Sequence, residues 1–181
     1  ASCNDFLDRE PLDSVTPDNF FFTENDLAAY AVKHYNFTTH EGFNAGIWKN
    51  DNATDNQAAT DYDKKWIPGQ WKVPEAYDNP ASNDPWYFSA IREANYFLET
   101  VVPRFEKGEI EGSETNIKHY IGEMYFLRAK NYLSKLETFG DFPIIKNTLP
   151  DESESLIQAS KRAPRYKVAH FILEDLDQAI S

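Results

Sequence analysis

Between Thr38 and Asn83 the chain sets Trp48, Trp66, Trp71 and Tyr77 among Asp55, Asn56 and Gln70, in a stretch of Gly, Asn, Asp and Pro with no helical period. Flat aromatic rings stack on the apolar C–H faces of sugars, while carboxylates and amides hydrogen-bond the rim of hydroxyls, so this set has the chemistry of a carbohydrate-binding surface. A stretch without a helical period has no regular core face to fill, which makes at least one of Trp48, Trp66 and Trp71 a candidate solvent-facing platform. The plainer reading of any single one is that it pins the stretch to the helices, because tryptophan is highly buried on average.

Other chemistries are poorly served. Asp51-Asn52-Ala53-Thr54-Asp55-Asn56 has the outline of a calcium loop, but Ala53 takes the third ligand position, Asn56 the required glycine and Tyr62 the bidentate glutamate. His34, His40, His119 and His170 have no metal-ligand spacing. No nucleophile elbow, phosphate loop or zincin helix occurs. Thirty acidic residues ensure that some carboxylates lie close together, but nothing selects a glycosidase-like pair. The expectation is a protein that binds without catalysing, with no cofactor and no metal.

Composition narrows the partners. A net charge of −12 disfavours nucleic acid, whose phosphates call for clustered Lys and Arg, and disfavours an anionic membrane surface for the same reason. No apolar run approaches the length that spans a bilayer. Hydrophobic residues at 41% and aromatics at 15% describe a globular chain, and 181 residues suffice for one domain without disulfide staples. The single cysteine, Cys3, cannot build a disulfide framework. Ala1-Ser2-Cys3 is either the small-residue end of a lipoprotein signal cut slightly early or an incidental surface cysteine.

The elements that would position these residues are helical. Residues 1–22 read as an extended leader with Pro11 and Pro17, ending in three phenylalanines. A first helix follows Thr23, which forms an approximate capping box with Asp26 and a hydrophobic staple through Phe22 and Leu27; Leu27, Tyr30, Ala31 and His34 share a face. After the 38–83 insertion, Asp84-Pro85 predicts the start of a second helix running to about Val102, before Pro103, with Tyr87, Ile91, Ala94 and Leu98 buried. A third helix, from near Ser113 to Gly140, is apolar over more than one face through Ile117, Ile121, Met124, Phe126, Leu127, Tyr132 and Leu136. Gly122 and Ala129, seven residues apart on it, would let another helix approach closely. A polar loop then leads to Pro164 and a last helix with Val168, Phe171, Ile172, Leu176 and Ala179 on one side. No capping glycine or proline follows it, which suggests a cut from something longer. Arg128, Asp175 and Glu123 sit among apolar positions of helices that should pack, and are read as a structural ion pair or triad, because buried charges persist only when paired. Asn95 is read as a satisfied core amide.

Several of these residues form ordered motifs. Cys3-Asn4-Asp5-Phe6-Leu7-Asp8 with Pro11, Thr16, Phe20, Phe21, Thr23 and Leu27 is followed by Trp86-Tyr87, Ile91, Ala94, Asn95 and Leu98. Then come Gly122-Glu123-Met124-Tyr125-Phe126-Leu127-Arg128-Ala129 and Phe139-Gly140-Asp141-Phe142-Pro143-Ile144, and finally Arg162, Pro164, Val168, Ile172, Asp175, Leu176 and Ala179. In this order they resemble the SusD/RagB family of Bacteroidetes nutrient-binding lipoproteins, the pairing G-E-x-x-F-L-R-A with F-G-D-x-P being the most specific part. The resemblance implies an all-α fold of TPR-like helix pairs in a right-handed superhelical scaffold with long inserted ligand-binding loops, of which residues 23–181 would be the N-terminal region and the C-terminal remainder would be missing. It implies that Cys3 is acylated, that the protein is anchored by lipid on the extracellular face of the outer membrane, and that it delivers glycan to a SusC-like TonB-dependent transporter. A RagB-like peptide- or protein-binding module is the alternative within the resemblance, and a glycoside hydrolase the alternative outside it. No family motif matches within residues 38–83, so no binding residue carries over there.

The anchor is testable directly. Full-length precursor expressed in its native host should incorporate labelled fatty acid, and Cys3→Ala should abolish both labelling and membrane retention almost completely, because multiple acyl chains hold a protein firmly where one holds it marginally. Unchanged labelling in the variant would leave Cys3 an ordinary surface cysteine.

Overall fold

The computed structural model describes residues 20–35, 67–70, 72–74 and 85–181. The described residues contain five helices: α1 (Glu24–Val32), α2 (Ser89–Lys107), α3 (Glu114–Phe139), α4 (Ser153–Ala159) and α5 (Arg165–Ile180). Two isolated bridges, Thr23 with Glu111 and Phe142 with Ala163, are the β-type pairings among them. Helix α3 is the axis of the fold and packs against α1, α2 and α5.

Helix α1 begins as its sequence dictates. The Asp26 amide donates to the Thr23 hydroxyl at 3.2 Å and the Asp26 carboxylate accepts from the Thr23 amide at 3.0 Å, satisfying donors that a helix start leaves open. Just before it, Phe21 takes φ 70°, a left-handed conformation that is costly for a bulky residue. That turn drives the Phe21 ring to full burial, edge-on to Tyr30 and Phe97 at 5.0 and 5.3 Å. Arg104 of α2 holds the turn by donating to the Phe20 carbonyl at 2.7 Å, and its guanidinium lies 4.2 Å from the Phe22 ring centroid.

Helix α2 departs from the predicted bounds at both ends. Pro85 and Trp86 form a turn, the helix starts at Ser89, and Tyr87 is exposed rather than buried. The helix also runs through Pro103 to Lys107 and ends at Gly108 in the left-handed conformation, with φ 70° and ψ 28°. Proline removes one backbone bond and crowds the preceding turn. Here its ring faces solvent, while Val101 and Phe105 on either side pack into the core and carry the helix past it. The buried stripe is Ile91, Ala94, Asn95, Phe97, Leu98 and Val101.

Helix α3 has the predicted extent and links two apolar clusters. One joins Leu27, Tyr30, Phe97, Val101, Ile117 and Met124; the other joins Ile91, Tyr132, Phe139, Phe142, Val168 and Phe171. Phe126, expected on an apolar face, is instead 43% exposed. The loop expected before Pro164 contains α4, a seven-residue helix with no buried residue, which has no apolar stripe to announce it.

The Phe139-Gly140-Asp141-Phe142-Pro143 motif turns the chain from α3 to α5. Gly140 takes φ 71°, which glycine adopts without penalty. The Asp141 carboxylate accepts from the Arg165 amide at 2.8 Å and so caps α5 from outside. Phe142 exchanges backbone bonds with Ala163 at 3.1 and 3.0 Å while its ring stacks on Phe88 and Phe139.

Gly122 sets the distance between α3 and α5, since a β-carbon there would lie 2.7 Å from the Ala179 carbonyl oxygen. Glycine to alanine inside a helix ordinarily stabilises by about 1 kcal/mol. At Gly122 the sign should reverse, with Gly122→Ala costing about 1–3 kcal/mol as α5 is pushed outward. Thermal unfolding checks this, and a raised midpoint would mean that the two helices are not in this contact.

Candidate functional site

Among the seven residues read as ligand-contacting, Gln70 lies within the described residues; Trp48, Asp55, Asn56, Trp66, Trp71 and Tyr77 lie outside them, as does Cys3. Gln70 closes an exposed turn in which its amide donates to the Ile67 carbonyl at 3.0 Å and Gly69 takes φ 80°. Ile67 and Val73 beside it are 41% and 40% exposed.

Trp86 ties this segment to the helices. Its indole N–H donates to the Pro74 carbonyl at 2.9 Å, and its ring lies 4.2 Å from Phe139 and 5.7 Å from Phe142 between centroids. The Arg162 guanidinium covers the ring at 4.8 Å. Thus Pro74 is fastened to the aromatic cluster that the Phe139–Pro143 turn builds.

The charged residues read as structural separate into two groups. Arg128 and Asp175, 6% and 2% exposed, form a two-pronged pair, with Nε to Oδ2 at 2.8 Å and Nη2 to Oδ1 at 2.7 Å. Arg128 Nη1 donates to Asn95 Oδ1 at 2.8 Å and to the Lys146 carbonyl at 3.3 Å. Asn95 Nδ2 in turn donates to the Ile145 and Asn147 carbonyls at 2.9 and 3.3 Å, so this buried amide is used at both ends. Glu123 is not a member of the group: its carboxylate accepts from the Tyr35 hydroxyl and meets His119 Nε2 at 3.0 Å. The reason is rotational, because Glu123 stands five residues from Arg128 and five residues turn a helix well past a shared face.

Tyr132 completes the polar core. Its hydroxyl donates to the Ile145 carbonyl at 3.1 Å and accepts from the Ile145 amide at 2.8 Å; burial pushes its pKa up to about 12, so it stays protonated at physiological pH. Burial likewise lowers the pKa of His34, whose Nδ1 lies 3.4 Å from Glu93 and whose Nε2 is buried without a partner. Among the described residues no group of three or more His, Cys, Asp or Glu is arranged to hold a metal ion, and no helix is long and apolar enough to cross a membrane.

Residues 5–181 match the model of a SusD-like family described as "Starch-binding associating with outer membrane". The chain belongs to this SusD-like family. It is 25% identical over 185 residues to SusD-like protein P2 of Formosa agariphila, a match covering 99% of this chain and 35% of that protein. Its fold is similar to the crystal structure of a SusD-like protein from Bacteroides fragilis, with a TM-score of 0.57 at 24% identity over 94% of this chain and 32% of that one. The chain therefore spans about a third of the length of these relatives. The fold is the all-α, TPR-like SusD fold.

In this SusD-like chain the Arg128 knot joins α2, α3, α5 and the Lys146 carbonyl, and its strength can be measured. Arg128→Ala leaves the Asp175 carboxylate buried and unpaired, and should cost about 3–5 kcal/mol, far above the roughly 0–1 kcal/mol of an exposed pair. Replacing both partners, Arg128→Met with Asp175→Leu, should recover most of the loss. Chemical denaturation reads both, and a single variant as stable as the parent would place the pair in solvent.

Proposed function

We propose that this chain is part of a glycan-binding protein of the outer membrane that captures oligosaccharide or polysaccharide and passes it to a SusC-like TonB-dependent transporter without catalysing any reaction. The observation that carries the proposal is the match of residues 5–181 to a family described as starch-binding and associating with the outer membrane. Cys3, by its resemblance to a lipobox cysteine, would carry the lipid that keeps the protein on the extracellular face.

The chemistry of the insertion supports glycan as the ligand. Trp48, Trp66 and Trp71 provide flat stacking faces, and Asp55, Asn56, Gln70 and Tyr77 provide acceptors and donors for hydroxyls. A binder of this kind needs a rigid support for its loop, because every residue ordered on binding subtracts from affinity. The Trp86–Pro74 bond and the aromatic cluster beneath it offer that support at one end of the insertion. Gln70 is exposed on a turn, which supports reading it as a ligand contact.

The full-length protein should bind at least one member of a polysaccharide panel in affinity electrophoresis or calorimetry and release no reducing ends from it. Replacing the platform tryptophan among Trp48, Trp66 and Trp71 by alanine should weaken binding by about 1–3 kcal/mol with little change in stability, whereas a core tryptophan would cost about 3–5 kcal/mol of folding energy. Full affinity in all three variants would move the site out of the insertion, and cleavage of the polysaccharide would replace the binder with an enzyme.

A further inference from the structure

A cleft of about 360 Å³ opens between the start of α2, the 143–149 segment and α4. Its walls are mostly carbon, supplied by Trp86, Phe88, Ile145, Leu149 and Leu156. Arg92 is the single charged residue among the described residues at the cleft, and no carboxylate lines it, although the chain carries 30 acidic residues. Neither the Arg92 guanidinium nor the Asn147 carboxamide has a hydrogen bond or ion pair among the described residues. The other polar groups are already engaged: Asn95 at both ends, and the Ser160 hydroxyl through the Ile157 carbonyl at 2.7 Å.

Arg92 precedes Asn95 by one turn of α2, and the Asn147 carbonyl is held by the Asn95 amide at 3.3 Å, so the two residues stem from backbone on the Asn95 side of the cleft, which both line. A sugar placed here would turn most of its hydroxyls toward carbon and leave them unmet. A molecule with an apolar body and one terminal anion meets neither penalty: its body covers the aromatic and aliphatic walls, and its anion takes the guanidinium fork with the amide beside it.

We propose that this cleft is a second ligand site, separate from the insertion, that takes a small free monocarboxylic acid with an aryl or alkyl body. The body lies against Phe88, Ile145 and Leu156, and the carboxylate is held by Arg92 with Asn147 on the same side of the cleft. The proposal does not rest on the glycan reading, because it uses neither the tryptophans of the insertion nor any hydroxyl recognition.

Calorimetric titration of the full-length protein with phenylbutyrate, phenylbutanol and phenylbutylamine, which share a body and differ in charge, tests it. The acid should bind about tenfold more tightly than the alcohol, and the amine should bind least. Arg92→Gln should leave alcohol binding unchanged and remove the advantage of the acid. Leu156→Asp, at a position that is 43% exposed on a helix with no buried residue, should abolish acid binding by placing a carboxylate in the cleft. Absence of acid binding, equal affinity for the three ligands, or an acid advantage that survives Arg92→Gln would each overturn the proposal, whatever the outcome with polysaccharide.

Discussion

A guanidinium that is 6% exposed stays charged in a protein interior only where its N–H groups meet acceptors, and at Arg128 that condition draws together pieces of chain far apart in sequence. Asp175 comes from α5, Asn95 from α2 and the Lys146 carbonyl from the segment between α3 and α4. The rings of Tyr125 and Phe171, 5.4 and 5.2 Å from the guanidinium carbon, close the space around it. Apolar packing is non-directional and tolerates rotation of one helix on another. The fork of an arginine is directional, so α5 is held at one rotation and the Gly122–Ala179 contact falls into place along the same interface.

The same group explains why the chain from Phe142 to Thr148 has a defined course without regular secondary structure. Backbone polar groups inside a protein must be paired. Here the partners are side chains: Tyr132 and Asn95 at Ile145, Arg128 at Lys146, Asn95 at Asn147, and the Glu99 carboxylate at the Thr148 amide, 3.0 Å away. Asp141 and Gly140 set the direction from which that segment leaves α3, and Phe142 anchors it under Trp86 and Phe88. The motif that resembles the family in sequence is thus a turn whose residues each meet a separate requirement of backbone geometry, capping or burial.

Where a physical rule acts locally, the sequence is legible. The Thr23–Asp26 capping box, the glycine that ends α3 and the apolar stripe of α5 follow from spacing and residue type, and the all-α SusD-like fold follows from the ordered motifs. Where the outcome depends on distant packing, it is not. Pro103 predicts a helix end by its missing N–H, but the burial of Val101 and Phe105 outweighs it. Glu123 and Arg128 share a helix, and a sequence reading places them together; the buried partner that Arg128 takes beside Asp175 is Asn95, thirty-three residues away. Helix α4 buries no residue and so has no periodicity to read. The residues proposed to contact ligand belong to a stretch with no period at all, where residue type is the remaining guide.

Its surroundings set Trp86 to a different task from the one proposed for the other three tryptophans. Its indole N–H is bonded to Pro74, one part of its ring packs on Phe139 and Phe142, and Arg162 lies over it. A ring so occupied cannot also present an open face to a sugar, because stacking needs a face free of other contacts. Trp86 therefore acts as the fastening of the insertion and as a wall of the apolar cleft. If tryptophan stacking is to hold a glycan on this chain, the capacity for it rests with Trp48, Trp66 and Trp71, on the far side of the Pro74 attachment along the chain.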